Sequence, residues 1–205
     1  DTEKTEDENA VQPETGEQVK DTASGAVFQV LSASGKTVAY KQPINTKQRI
    51  VTIPSTITIE GRKYKVVSVA AGAFKENKTV TRVKMGGSIK EIGKNAFYGC
   101  SSLKTVAIGK NVTSIGEKSF YKCTSLTKVT IPAKVSKMGK AVFYGCKKLK
   151  LIQIKTKKLT DKTIGAKAFK GIYKNAVIKV PTSKRNAYKK MFKKKGVTGK
   201  MQVIK

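Results

Sequence analysis

Residues 115–132 read Ile-Gly-Glu-Lys-Ser-Phe-Tyr-Lys-Cys-Thr-Ser-Leu-Thr-Lys-Val-Thr-Ile-Pro, and the pattern of this stretch recurs along the chain. The aromatic position is filled four times at a spacing of 23 residues and once more after 26, by Phe74, Phe97, Phe120, Phe143 and Phe169. A period in the twenties is typical of a solenoid, in which each repeat forms one coil and stacked coils bury a continuous core.

Further apolar columns keep register with these phenylalanines. They lie five residues before each phenylalanine, nine and eleven residues after it, and six residues after it in the first four copies. Around Phe120 they are Ile115, Leu126, Val129 and Ile131. So many columns in register over five copies predict a stacked repeat.

The main strand of each coil can be placed from the segment 103–108, Leu-Lys-Thr-Val-Ala-Ile, which has the L-x-x-L-x-L form of a leucine-rich repeat strand. Alternation turns Val106 and Ile108 inward and Thr105 and Ala107 outward. Equivalent strands are predicted near 82–85, 128–131, 151–154 and 177–180. They are expected to form a parallel sheet along one wall of the solenoid.

The stretch 115–132 resembles the BspA-type leucine-rich repeat of bacterial surface proteins, whose usual form is I-G-x-x-A-F-x-x-C-x-x-L-x-x-I-x-I-P. The resemblance covers about residues 66–180 and is strongest in the copies that bear Phe97, Phe120 and Phe143. It implies an α/β-type solenoid, mostly β, coiled right-handed with ~23-residue repeats. It also implies a secreted or cell-surface protein that serves in adhesion or binding and has no enzymatic activity.

Four regions are predicted along the chain. Residues 1–24 hold eight acidic residues and two lysines, with no aromatic and almost no aliphatic residue, and are predicted as a disordered acidic linker. Residues 25–65 contain two hairpin signals and are predicted as an N-terminal β-hairpin cap. Residues 66–180 form the solenoid of about five repeats. Residues 181–205 are predicted as a C-terminal cap with a short helix at about 184–195.

The charge of the chain is strongly positive, with 43 Lys+Arg against 13 Asp+Glu and no His. Beyond residue 24 there are 41 basic and five acidic residues, a formal charge of +36. Only four of the basic residues are arginine, whereas specific readout of phosphates or bases favours the bidentate guanidinium. A lysine excess indicates a solvated surface with diffuse attraction to polyanions, so no specific nucleic-acid partner is expected.

Two surfaces are candidate binding sites. The first consists of the outward positions of the wall strands, where solenoids bind extended partners. These positions are mostly small, polar or basic and include no acid, and two of them, Leu151 and Val177, are apolar. The eight candidate ligand contacts are Arg82, Lys84, Thr105, Ala107, Lys128, Thr130, Gln153 and Lys179. A solvated sheet face is the alternative for this wall. The second surface is a column beside the phenylalanines, formed by Tyr98, Tyr121 and Tyr144. It is either an aromatic strip that stacks on sugars or extended chains, or tyrosine packing that covers the convex wall.

Cys100, Cys123 and Cys146 occupy one further column, one per coil. Adjacent coils satisfy the Cα separation of a disulfide, ~4.4–6.8 Å, but parallel side chains seldom reach the required dihedral angle, and three thiols leave one over. The alternatives are buried thiols that act as small hydrophobes, a disulfide, or a metal or redox site. A zinc site lacks ligands without histidine or a fourth thiol, so no metal and no cofactor is expected.

The five acids beyond residue 24 are scattered, and no paired carboxylates, nucleophile elbow or phosphate-binding glycine loop occurs, so no enzyme is expected. The leading hypothesis is a non-catalytic surface module that binds a protein or glycan ligand on a host or matrix surface. The alternative is an electrostatic binder of an anionic polymer, which is a cell-wall polyanion, a membrane surface or nucleic acid. A spacer that carries another domain is the third.

Even counting glycine, no apolar run exceeds six residues, so no transmembrane segment is expected. The chain begins without Met, which indicates either a trimmed chain or a mature chain after removal of its leader, and a secreted or bacterial cell-surface location is expected.

Overall fold

The computed structural model describes residues 12–204, which form two β-sheets and one α-helix. The helix, α1 (Arg185–Lys194), follows a short 3-10 helix at Thr182–Lys184. The chain is therefore mostly β with one C-terminal helix, as expected. The strands in chain order are β1 (Gln18–Asp21), β2 (Ala26–Ser32), β3 (Thr37–Pro43), β4 (Ile50–Ile53), β5 (Thr56–Ile59), β6 (Arg62–Val69), β7 (Arg82–Met85), β8 (Glu91–Ile92), β9 (Thr105–Ala107), β10 (Ser114–Ile115), β11 (Lys128–Ile131), β12 (Lys137–Met138), β13 (Leu151–Ile154), β14 (Val177–Pro181) and β15 (Lys200–Ile204).

One sheet, called the strand wall from here on, has seven parallel strands in the order β15-β14-β13-β11-β9-β7-β4. Its register joins equivalent positions of successive repeats. Arg82 pairs with Thr105, Thr105 with Lys128, and Lys128 with Leu151. Parallel pairing of residues that lie one repeat apart is how stacked coils form a continuous sheet.

The second sheet runs in the order β1-β2-β3-β6-β8-β10-β12, with β5 also paired to β6. Its N-terminal part contains the two antiparallel hairpins, β2 with β3 and β5 with β6. From β6 onward the pairing is parallel, through the two-residue strands of the repeats. A bridge between Met138 and Ile164 adds one further coil.

The phenylalanine column lies in the core as a stack of nearly parallel rings. Successive centroids are 4.9, 5.1, 5.3 and 5.8 Å apart, with interplanar angles of 15° or less. Neighbouring strands lie ~4.8 Å apart, so adjacent coils bring equivalent rings to a stacking separation. Tyr40 extends the stack on one side, with its centroid 5.3 Å from that of Phe74, whereas Phe192 closes the other side edge-on, 5.3 Å from Phe169 at an angle of 74°. Its members are Phe74, Phe97, Phe120, Phe143 and Phe169.

A glycine column allows the coils to approach this closely. A Cβ atom added to Gly116 would lie 2.6 Å from the carbonyl carbon of Gly93, and one added to Gly139 would lie 2.4 Å from the amide nitrogen of Glu117. Gly165 faces the backbone of Lys140 in the same way. The glycines are therefore required by backbone contact between coils.

The predicted linker 1–24 is corrected in its second half, because residues 18–21 form β1 and pair antiparallel with β2. Val19 is partly buried against the core. Strand pairing uses backbone groups and needs few apolar side chains, so a composition argument misses it. Residues 1–11 lie outside the described residues.

The strand wall extends past both predicted boundaries of the solenoid, since β4 lies before residue 66 and β15 after residue 180. Helix α1 agrees with the predicted segment 184–195 and buries Tyr188, Met191 and Phe192. Phe192 follows Phe169 by 23 residues, so the helix carries one more member of the phenylalanine column.

Candidate binding surfaces

The outward face of the strand wall displays the predicted residues in rows. Within each strand the inward side chains, such as Val83, Val106 and Val129, are buried. In the outward rows Arg82, Thr105 and Lys128 stand side by side, Lys84 stands beside Ala107, and Thr130, Gln153 and Lys179 form a third set. The first five of these eight outward residues are exposed, and the last three are half-buried. The structure therefore brings all eight predicted wall residues onto one face.

The wall is positively charged, and its cations are uncompensated within the described part of the chain. None of the ion pairs between described residues involves Arg82, Lys84, Lys128 or Lys179. Those pairs lie elsewhere, between Lys78 and Glu76, Lys94 and Glu117, Lys118 and Glu117, and Lys195 and Asp161. The face can thus attract anionic groups over the width of several coils.

Both ends of the wall have additional features. At the C-terminal end, residues 181–183 line a cleft with Gln153, Lys155 and Lys157. At the other edge, the outward side chain of Ile50 in β4 is 55% exposed and lies in register with Arg82. The sequence Val-Thr-Ile-Pro at 51–54 repeats the end of the stretch 115–132 and predicts a partial coil before the first full repeat. Ile50 and Thr52, the outward residues of that coil, are not among the predicted wall residues.

The tyrosine column forms a stack of its own. The rings of Tyr98 and Tyr121 are 4.9 Å apart at an angle of 6°, and those of Tyr121 and Tyr144 are 5.1 Å apart at 9°. All three are half-buried. Both faces of Tyr121 are therefore covered by tyrosine, and the ammonium group of Lys75 lies 6.0 Å from the ring of Tyr98. This geometry favours tyrosine packing over a strip that stacks on sugars, because the ring faces are turned toward each other.

The three cysteines are free and buried. Each thiol donates to a backbone carbonyl in the preceding coil, as Cys123 does to Phe97 at 3.1 Å. Burial raises the pKa of Cys100 and of Cys146 to about 12, and burial followed by the neighbouring thiols raises that of Cys123 well above its ordinary value. Protonated, hydrogen-bonded thiols are poor nucleophiles and poor metal ligands.

Residues 12–204 contain no group of three or more His, Cys, Asp or Glu side chains placed to hold a metal ion. Nor does that part of the chain include a helix with the length and apolarity needed to cross a bilayer. The surfaces that remain can bind, by charge and shape, an extended partner.

A family model described as "BspA type Leucine rich repeat region" matches residues 66–198 in six copies. This is one copy more than the five predicted, and the match includes α1. None of the curated proteins compared with the sequence matches it. The comparisons indicate no catalytic family.

Several solved structures are similar to this chain. A leucine-rich repeat protein from Bacteroides capillosus is 29% identical, with a TM-score of 0.59 over 67% of this chain and 97% of its own. A leucine rich cell surface protein from Faecalibacterium prausnitzii is 27% identical, with a TM-score of 0.63 over 82% of this chain and 49% of its own. A leucine-rich repeat protein from T. pallidum, 24% identical with a TM-score of 0.65 over 80% of this chain and 73% of its own, supports the fold alone.

Proposed function

Because the chain belongs to the BspA-type leucine-rich repeat family, we propose that it is a non-catalytic binding module whose strand wall contacts an extended, anionic ligand. The ligand is a protein or glycan on a host or matrix surface. The observation that carries this proposal is the set of aligned outward rows, which contains cations and no acid.

Rows of this kind suit an extended partner. Parallel pairing repeats each outward position at the strand spacing of ~4.8 Å, so a chain lying across the strands meets one outward side chain of each coil. The small side chain of Thr105 lies between Arg82 and Lys128, and that of Ala107 lies beside Lys84, which leaves room for a partner to approach. Sulfate or carboxylate groups of the ligand would then meet Arg82, Lys84 and Lys128.

The proposal includes the cellular location and the form of the solenoid. A similar solved protein is described as a cell surface protein, and this supports a secreted or surface-exposed location for this chain. We take the solenoid as a right-handed coil of ~23-residue repeats, with the N-terminal hairpins and α1 as its caps. Capped ends leave the lateral strand wall as the accessible face.

The test compares two charge-matched triple variants. The wall variant carries Lys84→Glu, Lys128→Glu and Lys179→Glu. The control carries Lys65→Glu, Lys90→Glu and Lys137→Glu, three exposed positions on or next to the second sheet. Both variants change the net charge equally, so diffuse electrostatics affects them equally.

Binding is measured by surface plasmon resonance on immobilised heparin, hyaluronan, collagen and fibronectin. We expect the wild type to bind at least one of these, the wall variant to bind it at least tenfold more weakly, and the control to stay within about threefold. Equal weakening of the two variants would contradict the strand wall as the site, and the absence of wild-type binding to the whole panel would contradict the ligand class.

A further inference from the structure

The positive charge of the chain is concentrated toward its C-terminus. Residues 133–205 contain 23 Lys and Arg but one acid, Asp161. Residues 12–132 contain 19 Lys and Arg with seven acids. The positive charge of residues 133–205 is therefore balanced by far fewer acids than that of residues 12–132. Residues 133–205 include the last coils and α1.

Two segments of this part meet on one surface at the end of the solenoid. The hydroxyl of Tyr188 in α1 donates to the carbonyl of Thr156 at 3.0 Å and accepts from the amide of Leu159 at 3.2 Å. These bonds hold the loop 155–162 against the helix. The exposed cations of the two segments are called the basic end from here on: Lys155, Lys157, Lys158, Lys162, Arg185, Lys189, Lys190, Lys193 and Lys194.

The two segments contain one acid, Asp161, and it is paired with a lysine that is not part of the basic end. Asp161 is already occupied by Lys195, whose ammonium group lies 3.1 Å from its carboxylate and 3.0 Å from its carbonyl oxygen. In α1, the exposed pairs Lys189–Lys193 and Lys190–Lys194 place like charges at i and i+4, which is unfavourable for the helix.

The N-terminal turn of α1 adds to this repulsion. Lys184 is the N-cap residue, Arg185 is the first helical residue, and the first turn contains no acid and no side-chain cap. Cations at a helix N-terminus oppose the helix dipole. The sequence of this helix thus departs from what stability alone favours, and such departures are expected where a surface serves a partner.

We infer that the basic end binds a linear phosphate polymer that carries no bases. Specific bidentate readout needs arginine, and this surface has one, but lysine binds phosphate as a point charge, so a lysine surface fits a polymer that offers repeated phosphates and no bases to read. This surface is distinct from the strand wall and does not depend on the function proposed for it.

The alternatives to such a polymer are nucleic acid and a membrane. Base stacking needs exposed aromatic rings, yet Tyr188 and Phe192 are buried. Insertion into a bilayer needs exposed large apolar side chains. Among the side chains that the structure describes, these are Leu31, Ile44 and Ile50, all in the N-terminal part.

The test uses the full chain and long-chain inorganic polyphosphate as the probe. The end variant carries Lys189→Gln, Lys190→Gln, Lys193→Gln and Lys194→Gln. The control carries Lys65→Gln, Lys90→Gln, Lys104→Gln and Lys137→Gln, so the net charge changes equally. Glutamine is a good helix former, and its introduction removes the lysine repulsion, so α1 is expected to stay folded. Circular dichroism and the melting temperature verify this.

Affinity is measured by fluorescence anisotropy over a range of salt concentrations. Counterion release predicts that each lysine in contact with the polymer contributes about 0.7 to the slope of log K against log salt concentration. At 0.1 M salt this contribution corresponds to about fivefold in affinity per lysine. We expect the end variant to lose about 25-fold or more, corresponding to two or more contacts, and the control to lose less than about fivefold. Equal losses in the two variants would overturn the inference, because they would indicate net charge without a localised surface.

Two competing probes test the chemistry of the partner. Wild-type protein is titrated with single-stranded dT oligonucleotide and with anionic phosphatidylglycerol vesicles at equal total charge. Weaker binding to both than to polyphosphate supports the inference. Equal or tighter binding to the oligonucleotide would identify nucleic acid as the partner, and equal or tighter binding to vesicles would identify a membrane; either result overturns it.

Discussion

Replacing Gly116 with alanine tests whether backbone contact between coils limits how the solenoid stacks. The new Cβ would lie 2.6 Å from the carbonyl carbon of Gly93 and from the amide nitrogen of Lys94, and 2.8 Å from the carbonyl oxygen of Ile92. All three atoms belong to the backbone, so no flexible side chain can move away. Carbon atoms in contact prefer about 3.5–4.0 Å, and the two coils must therefore separate by about 1 Å locally.

The cost follows from what that separation breaks. The amide of Gly116 donates to Ile92 at 2.7 Å, and the amide of Asn95 donates to Glu117 at 2.9 Å across the same interface. Weakening these bonds costs about 0.5–1.5 kcal/mol each, and overpacking in general costs about 1–3 kcal/mol. Alanine regains about 0.5–1 kcal/mol by restricting the unfolded chain. We expect a net loss of about 2–3 kcal/mol in the free energy of unfolding.

Gly87→Ala is the matched control, since its nearest neighbour would be the Ser55 hydroxyl oxygen at 4.0 Å and its φ is not positive. It should leave stability unchanged or raise it by up to about 1 kcal/mol. Urea unfolding followed by circular dichroism measures both variants. A loss below about 0.5 kcal/mol for Gly116→Ala, or equal values for the two variants, would refute the argument.

Two further predictions concern columns of the repeat. Two residues after each phenylalanine of the column the backbone is left-handed, with φ of +73° at Gly145 and +54° at Lys122. Gly145→Ala should therefore lower the free energy of unfolding by about 1 kcal/mol, and Lys122→Gly should raise it by up to about that amount. Urea unfolding that shows a change of the same sign in both variants would contradict this. Because burial raises the pKa of Cys100 and of Cys146 to about 12, the folded protein should resist iodoacetamide at about pH 8 and react at three thiols when unfolded. Because the pKa of these thiols is raised in the folded state, their contribution to the free energy of unfolding is fully present below about pH 8.5. It is lost as the pH rises toward 12. A triple Cys→Ala variant should therefore lose stability less steeply between about pH 9 and 11, and an equal slope in both proteins would exclude the thiols as its cause.

The strands of the wall could be predicted from the sequence because their signal is local and repeated. Val106 is apolar, Thr105 and Ala107 are small, and the same alternation returns one period later in Lys128–Ile131. A pattern that repeats at one spacing indicates the register as well as the strand. The eight outward residues of the wall therefore lie on the predicted face.

Other features could not be predicted with the same means. β1 pairs through its backbone, so its polar composition carried no signal for a strand. The match of the family model reaches residue 198 and so includes α1, where the apolar columns are interrupted, although the spacing from Phe169 to Phe192 preserves the period. The tyrosine column was visible in the sequence, but whether its rings face solvent or one another depends on their rotation about the side-chain bonds.

Periodicity was sufficient to establish a stacked repeat, its buried columns and its outward wall, since equivalent residues in neighbouring coils contact each other and so must suit each other in size and polarity. The tertiary structure decided which distant segments adjoin. The loop 155–162 meets α1 through the hydrogen bonds of one tyrosine hydroxyl, that of Tyr188. Contacts made once, between segments that share no pattern, leave no repeated signal in a sequence, because any residue with the right shape and hydrogen-bonding groups can make them.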